Sequence, residues 1–545
     1  MTAAAAGLKS QSLTQWRFGA LLVISGLAVA LTELRIPSIV GVPVPVADIA
    51  RLLLGLVGFI FALDAASQFP RLPWRRPWVV ILIAFIGCVA AGWLGGVSWP
   101  NSGDEYSYVF LADTFRAGRL WDPPPPDPLL FKAFHVLVKD GRTFCPYPPA
   151  WSALLVPFRV LRSLWLVNPL LTATLGAILV AIYRRLGLRA EMQVPALTLV
   201  LLTPFTLFLG GSLFPQTMAA VLVAAIVWAQ LADEPKPRFW RKLATGALFG
   251  LLLLSRCDVF AIVAVPYAID RLVQRRFAGV MDGLAVMLGL LPFALGFLAY
   301  NAAITGDPLQ LPATWVASNQ HDPAMAGLVR MLLPVQLNLY WLGNLAEFGG
   351  LAVLILASIA LRAKILRRSS RFYDFLLPAA ILFYSFVPFS GGHQYGPRYW
   401  FWAWPLGTLT IATGLADALG YVRAFGRRVS LEGLAAAMLL TVAASFCVLL
   451  VAAHGYIAAR RAVFDPAPPS KRAVVLVPDR QLHRWWWPEI PAPALDFTRN
   501  DIDYSGKVLY ALGNVPDAAE RACRLSGRAV FRWEEPGRLA RVACP

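Results

Sequence analysis

The residues of this chain that could do chemistry gather in a few short stretches, and the densest is Asn101-Ser102-Gly103-Asp104-Glu105-Tyr106-Ser107-Tyr108. Ser102 followed three positions later by Glu105 has the form of a capping box, and acids in a first turn complement the helix dipole. Capping accounts for Ser102 and Glu105. It gives Asp104 no task. A carboxylate held at a helix N-terminus can orient a hydroxyl, accept its proton or ligate a divalent cation. Asp104, with Glu105 beside it, is therefore the candidate catalytic group, and Asp104 is also the candidate ligand should Mg²⁺ or Mn²⁺ be required. The helix it opens, Asp104 to about Gly118, has Val109, Ala112 and Phe115 for burial and pairs Asp113 with Arg116 at i, i+3.

Other polar groups are sparse. Ser255-Arg256-Cys257-Asp258 interrupts an apolar stretch, where the two charges either pair with each other or line a charged cavity. His393-Gln394-Tyr395-Gly396-Pro397-Arg398-Tyr399 lies between two apolar runs, with Arg398 at the mouth of the second. An Arg entering a membrane must snorkel or meet an anion, and a guanidinium grips phosphate bidentately. Lys132, His135 and Lys139 read as solvated side chains. No Walker motif, GxGxxG, HExxH or GxSxG occurs in a fitting context, which argues against a nucleotide-driven pump or a common hydrolase.

The elements that must position these groups are membrane helices. Of the 545 residues 58% are hydrophobic and 15% charged, whereas soluble domains carry about 25% charge. Thirteen spans fit the hydropathy: about 18–34, 47–66, 78–96, 165–183, 193–210, 214–232, 242–256, 258–270, 280–300, 333–361, 373–389, 398–418 and 433–453. The first lacks a cleavage site and reads as a retained anchor. The net charge of +18 is concentrated in short clusters between spans, among them Arg184/Arg185/Arg189, Arg271/Arg275/Arg276 and Arg362 to Arg371. All fall on one side if the N-terminus is cytoplasmic, as the positive-inside rule requires. That placement suits anionic lipid and not nucleic acid. The stretch 242–270 is too long for one span, and two short spans meeting at the external face keep the alternation.

Three hydrophilic regions then lie outside: 97–164, 301–332 and the tail 455–545. In the first, Pro123–Pro126 enforces extended chain, and Trp151–Leu164 reads as an interfacial helix with Arg159 and Arg162 on one face. The tail has strand-like stretches at Ala473–Val477, Lys507–Tyr510 and Ala529–Trp533 and a helical one at Ala518–Leu525, which predicts a small α/β module. Its only cysteines, Cys523 and Cys544, would face an oxidising compartment and are expected to pair. Cys88, Cys257 and Cys447 lie in apolar runs and read as packing residues.

Taken in order, Gly103-Asp104-Glu105-Tyr106, Ala112-Asp113-Thr114-Phe115-Arg116-Ala117-Gly118-Arg119-Leu120, Tyr147-Pro148-Pro149, Ser255-Arg256, Asn301…Gly306-Asp307-Pro308 and Gly396-Pro397-Arg398-Tyr399 resemble bacterial membrane glycosyltransferases of the GT-C fold, near the protein O-mannosyltransferases of glycosyltransferase family 39. The resemblance runs over roughly 97–420, with two spans more before the carboxylate loop than the common pattern has. It implies a sugar transferred from a polyprenyl-phosphate carrier to a lipid, glycan or protein acceptor at the outer face. It also implies that Asp104 is the base or acceptor-orienting group. The lipid phosphate would meet Arg398 and Arg256, with Tyr399, His393 and Asp113 completing the substrate-binding set.

The expected architecture is an all-α polytopic membrane protein of about thirteen transmembrane helices, GT-C-like, with a small α/β C-terminal extracytoplasmic module. Its parts are three helices in 1–96, a catalytic loop with an interfacial helix in 97–164, a bundle in 165–454 and the module in 455–545. The expected location is the bacterial inner (plasma) membrane, with the N-terminus cytoplasmic and membrane lipids as neighbours. The competing class is a transporter or flippase of lipid-linked glycan. It would need ionisable residues along a path through the spans, and these are few. A scaffold that merely presents the tail would leave Asp104 and Arg398 dispensable.

Overall fold

The computed structural model describes residues 75–96, 98–100, 102–133, 135–233, 238–275, 277–317, 350–385, 397–423, 472–477, 500–525, 527–535 and 538–544, with scattered positions within 53–57, 342–345 and 430–455. The expected spans 18–34 and 47–66, and the first half of 333–361, lie almost wholly outside the described residues.

The first described helix, α1 (Pro77–Trp93), coincides with the third expected span. A break follows, and α2 (Gly103–Arg116) carries the carboxylates. A hairpin of β1 (Leu137–Lys139) and β2 (Arg142–Phe144) leads to α3 (Pro149–Val160). The helix expected at 151–164 therefore ends four residues early, at Val160. Arg162 lies beyond its end in the left-handed region (φ 53°) and does not share a face with Arg159. Trp151, Ser152 and Leu155 bury one side of α3, while Val160 and Leu161 stay exposed.

The bundle continues with α4 (Val167–Arg185), α5 (Ala190–Leu201), α6 (Pro204–Leu209), α7 (Gln216–Asp233), α8 (Phe239–Ser255), α9 (Cys257–Arg275), α10 (Phe277–Thr305) and the short α11 (Pro312–Ala317). The expected single span 193–210 is two helices. Pro204 has no N–H to continue the ladder, and Thr203 caps the new helix by accepting from the Thr206 amide. The stretch 242–270 is likewise two helices, α8 and α9, broken at Arg256 and packed on each other. α8 and α10 approach closely because each offers a glycine: a Cβ at Gly246 would collide with the Val286 carbonyl, and one at Gly289 with that of Leu243. Small residues at such crossings are how apolar helices associate. The outer face of α10 leaves Leu284, Met287, Leu291 and Leu295 exposed, as a lipid-facing helix would.

α12 (Leu351–Leu366), α13 (Leu376–Ser385), a 3₁₀ helix (Arg398–Ala403) and α14 (Trp404–Arg423) complete the bundle, with α12 packed along α14. Trp400, Trp402 and Trp404 are wholly buried. Among the described residues three helices are long and apolar enough to cross a membrane: Leu164–Arg185, Gln216–Asp233 and Ala278–Thr305.

The tail contains β3 (Ala473–Val477), β4 (Val508–Leu512), α15 (Ala518–Cys523), β5 (Ala529–Glu535) and β6 (Arg538–Arg541), in the sheet order β4-β3-β5-β6. β3 pairs parallel with β4 and β5, and β6 runs antiparallel to β5. All five β3 side chains are buried, the mark of a sheet covered on both faces. One face receives α15 and, from the segment between α2 and β1, Leu130 and Phe131; the other meets Trp99. The Leu512 amide donates to the Leu130 carbonyl at 2.8 Å, Arg119 pairs with Asp503 and Arg521 with Asp127. The tail is thus docked on the loop that follows α1. Cys523 and Cys544 are disulfide-bonded.

Candidate active site

Ser102 starts α2 as expected, its hydroxyl oxygen accepting from the Glu105 amide at 3.2 Å. The two acids then part. Glu105 is fully buried; it accepts from the Ser102 hydroxyl at 3.1 Å and from the Leu213 amide at 3.0 Å, which ties α2 to the α6–α7 turn. Asp104 faces a cavity of about 380 Å³ together with Tyr108, Tyr147, Arg256, Asp258, Arg398 and Tyr399.

Three chain segments converge on Asp104. Its Oδ2 accepts from Nη2 of Arg398 at 2.8 Å, and its Oδ1 accepts from the Tyr147 hydroxyl. His135 places Nε2 3.5 Å from the same oxygen. Burial acts to raise the Asp104 carboxyl, but the Arg398 charge above all, then His135 and the Tyr147 hydroxyl, outweigh it and hold the group at about 2. Burial lowers the His135 imidazole below its ordinary range, with Asp104 opposing and Arg398 reinforcing. Burial raises the Tyr147 and Tyr108 phenols, and in each case the negative charge of Asp104 raises it further. At neutral pH the site therefore holds an ionised Asp104, a neutral His135 and neutral phenols.

Arg398 enters from the start of its 3₁₀ helix with a side chain only 5% exposed, its guanidinium 4.2 Å from the Phe214 ring centre. A second ion pair stands beside the first. Arg256 grips Asp258 with two bonds, of 2.9 and 2.6 Å, and Tyr384 donates to the same carboxylate at 2.6 Å. Tyr384 stacks on Tyr399 with ring centres 5.1 Å apart. The Arg256 and Arg398 guanidinium carbons lie 5.4 and 5.6 Å from the Tyr399 ring. Of the two sequence alternatives for Arg256 and Asp258, mutual pairing and cavity lining, the structure realises both.

The cavity lies at one end of the bundle. Arg256 ends α8, Asp258 starts α9, Asn301 is near the end of α10, Tyr384 near the end of α13, and Arg398 precedes α14. The basic residues Arg184, Lys242, Arg271 and Lys364 sit at the other ends of α4, α8, α9 and α12. A carboxylate, two guanidiniums and stacked phenols at the mouth of an apolar bundle can hold a phosphate and take a proton from a hydroxyl at one place.

The expected residues fall out as follows. Asp104, Arg256, Arg398 and Tyr399 are brought together. Glu105 is not in the cavity. Asp113 is nine residues from Asp104, two and a half helical turns, so it points to the opposite side of α2, where Arg159 holds it with bonds of 2.9 and 2.9 Å. Arg116 adds the expected i, i+3 contact at 3.5 Å. His393 lies outside the described residues. His135, read from sequence as solvated, is instead half-buried against Asp104 because its left-handed backbone (φ 60°) turns the ring inward. Tyr384 and the carboxylate-binding role of Tyr147 were not foreseen, although Tyr147-Pro148-Pro149 marked the place. Among the described residues no three His, Cys, Asp or Glu side chains gather as a metal site, and Asp104 is engaged by Arg398, Tyr147 and His135. A divalent cation does not fit this donor set, and no step is derived through one.

No family model matches this chain, and no curated protein matches it. Among solved structures it is similar to ArnT from Cupriavidus metallidurans bound to undecaprenyl phosphate, at 12% identity over 83% of this chain and 92% of that one, with a TM-score of 0.48. It is also similar to the archaeal oligosaccharyltransferase AglB from Archaeoglobus fulgidus in complex with an inhibitory peptide and a dolichol-phosphate, at 11% identity over 84% and 69% of the two chains, with a TM-score of 0.46. The arabinofuranosyltransferase AftD from Mycobacteria is similar at 16% identity over 80% of this chain and 31% of that one, with a TM-score of 0.41.

Proposed function

We propose that this chain is a membrane glycosyltransferase that moves a sugar, hexosyl or pentosyl, from a polyprenyl-phosphate donor to an acceptor hydroxyl at the extracytoplasmic face. The carrying observation is the contact between Asp104 and the buried Arg398, in a cavity at the end of the bundle opposite Arg184, Lys242, Arg271 and Lys364. The positive-inside rule supports a cavity on the outer side and a cytoplasmic N-terminus, and the membrane in this reading is a bacterial plasma membrane. The span count in this reading is about thirteen. Its parts are the helices of 1–96, the loop 97–164, the bundle 165–454 and the tail 455–545.

At about 2, Asp104 is a weak proton acceptor while it is paired with Arg398. A donor phosphate arriving beside Arg398 competes for the guanidinium, which suits phosphate bidentately. Withdrawal of that charge from Asp104 raises its basicity as the donor binds. The acceptor oxygen then attacks the anomeric carbon, its proton passes to Asp104, and the bond from that carbon to the phosphate oxygen breaks. The electron pair leaves on the polyprenyl phosphate, stabilised by Arg398 and Arg256. Tyr147 and His135 keep Asp104 aimed throughout.

The test is mass spectrometry of lipid co-purified with the full chain, followed by turnover of a radiolabelled polyprenyl-phosphate sugar. A bound polyprenyl-phosphate sugar that is consumed supports the reading. A protein that carries no such lipid and consumes none overturns it.

A further inference from the structure

A second cleft, of about 800 Å³, lies on the opposite side of α2 from Asp104, between the catalytic loop and the docked tail. Helical geometry dictates it. Tyr106, Val109, Phe110, Asp113 and Arg116 line this cleft, and at about 100° per residue all five lie 120–240° around the helix from Asp104. The tail supplies the far wall through Asn500, Asp501 and Asp503, and α3 contributes Arg159. The volume falls in the range of about 300–1,000 Å³ that encloses small ligands.

The chemistry of the walls narrows the ligand. Three arginines, Arg116, Arg119 and Arg159, face three aspartates, Asp113, Asp501 and Asp503, so the lining carries no net charge. Arg159 and Arg116 bond Asp113, and Arg119 bonds Asp503 at 3.3 Å. An anion would have to displace an aspartate from its arginine, and a cation at Asp501 would lie in the field of Arg159. An uncharged polyol can instead donate to the carboxylate and accept from the guanidinium of the same pair. Trp99 and Tyr106 add aromatic surface, which packs against the C–H faces of sugar rings. Val109, Phe110, Leu164 and Ile502 give the cleft apolar surface as well, so a peptide is the competing occupant, and the paired charges and the two aromatic rings favour a sugar over it.

We propose that this cleft binds an uncharged glycan segment of the acceptor, so that the acceptor class is a glycan chain. This rests on the glycosyltransferase reading above. Asp104 works on one face of α2 and the acceptor chain is held on the other.

The test uses the full-length protein in nanodiscs with the variants Arg116→Gln and Asp501→Asn, both at exposed positions outside the donor cavity. The probes are linear uncharged hexose and pentose oligomers of two to six units, with peptides and carboxylated oligosaccharides of equal length as controls. Binding is followed by tryptophan fluorescence, and transfer by radiolabelled sugar incorporated into membrane acceptor. In both variants the KM for acceptor should rise about tenfold, the effect of one lost hydrogen bond to a charged group, while the KM for donor and kcat stay unchanged. Uncharged oligomers should compete with the acceptor, and neither control should. An unchanged acceptor KM in both variants, or competition by peptides in place of sugars, overturns the proposal. If wild-type protein consumes no donor, the transferase reading fails by itself. Oligomer binding that weakens in Asp501→Asn would still uphold the cleft, and no binding would sink it too.

Discussion

Arg398 and Asp104 are 294 residues apart in sequence, and their side chains meet at 2.8 Å with Arg398 almost completely shielded from water. The pair holds α2 against the start of the last described bundle helices. It also sets the price of disturbing either residue. From sequence alone a first-turn charge is worth about 0.3–1 kcal/mol, whereas removing one partner of a buried ion pair costs about 3–5 kcal/mol. Asp104→Asn should therefore lower transfer by about 10²–10⁴-fold and also lower the melting temperature in detergent. The double variant Asp104→Asn/Arg398→Gln should regain most of the stability and none of the activity. Near-normal transfer by Asp104→Asn would remove Asp104 from the mechanism.

Arg398→Lys tests the phosphate role. An ammonium keeps the charge but cannot form two parallel bonds to phosphate. Donor affinity should fall about ten- to a hundredfold, the worth of one bond between charged groups, with the acceptor KM unchanged. Equal affinity in titrations with polyprenyl phosphate would show that the phosphate does not meet this side chain.

Two pH dependences follow from the site. Asp104 is depressed to about 2, so its stabilising contribution is full above the ordinary carboxylate range and is lost progressively as pH falls from that range to about 2. Tyr147→Phe deletes one bond to the ionised form, so the acid limb of kcat/KM should move upward. His135 is also depressed, and the unfolded chain binds its proton first. Stability should decline as pH drops below about 6.5. His135→Gln should flatten that decline in melting temperatures recorded between pH 7.5 and 5.5.

How much of this was legible beforehand depended on whether the information was local. The Ser102 cap, the two helices of 242–270 and the strand Ala473–Val477 are written in neighbouring residues, and the structure has them. The destination of Glu105 is not local, because its partner is the Leu213 amide, 108 residues away. The separation of Asp113 from Asp104 was readable from helical spacing, since nine residues turn a helix by two and a half turns. His135 was hidden because nothing adjacent announces a left-handed loop residue that faces Asp104. Pro204 did announce the break in 193–210, and an apolar average over the window conceals it.

The disulfide between Cys523 and Cys544 closes a loop of 21 residues at the edge of the tail sheet. In the chain-entropy account such a bridge contributes about 3 kcal/mol. Cys544→Ser in the full chain should speed proteolytic cleavage within 500–545 and leave the bundle intact. Unchanged cleavage with and without reductant would show that docking alone holds the tail.

Topology is tested by single cysteines at exposed positions. Asp140→Cys and Ser505→Cys are exposed and should react equally with an impermeant maleimide in intact spheroplasts. Protection of both would reverse the orientation, and protection of one alone would break the topology.

The docking of the tail on the loop sets a clock on biosynthesis. Asp503 is made 384 residues after its partner Arg119. At about 5–20 residues per second, that interval is roughly twenty to eighty seconds. Throughout it Leu130 and Phe131 wait without the strands that later cover them, two apolar side chains left open to water. The second cleft does not exist until that wait ends, because one of its walls has not yet been translated.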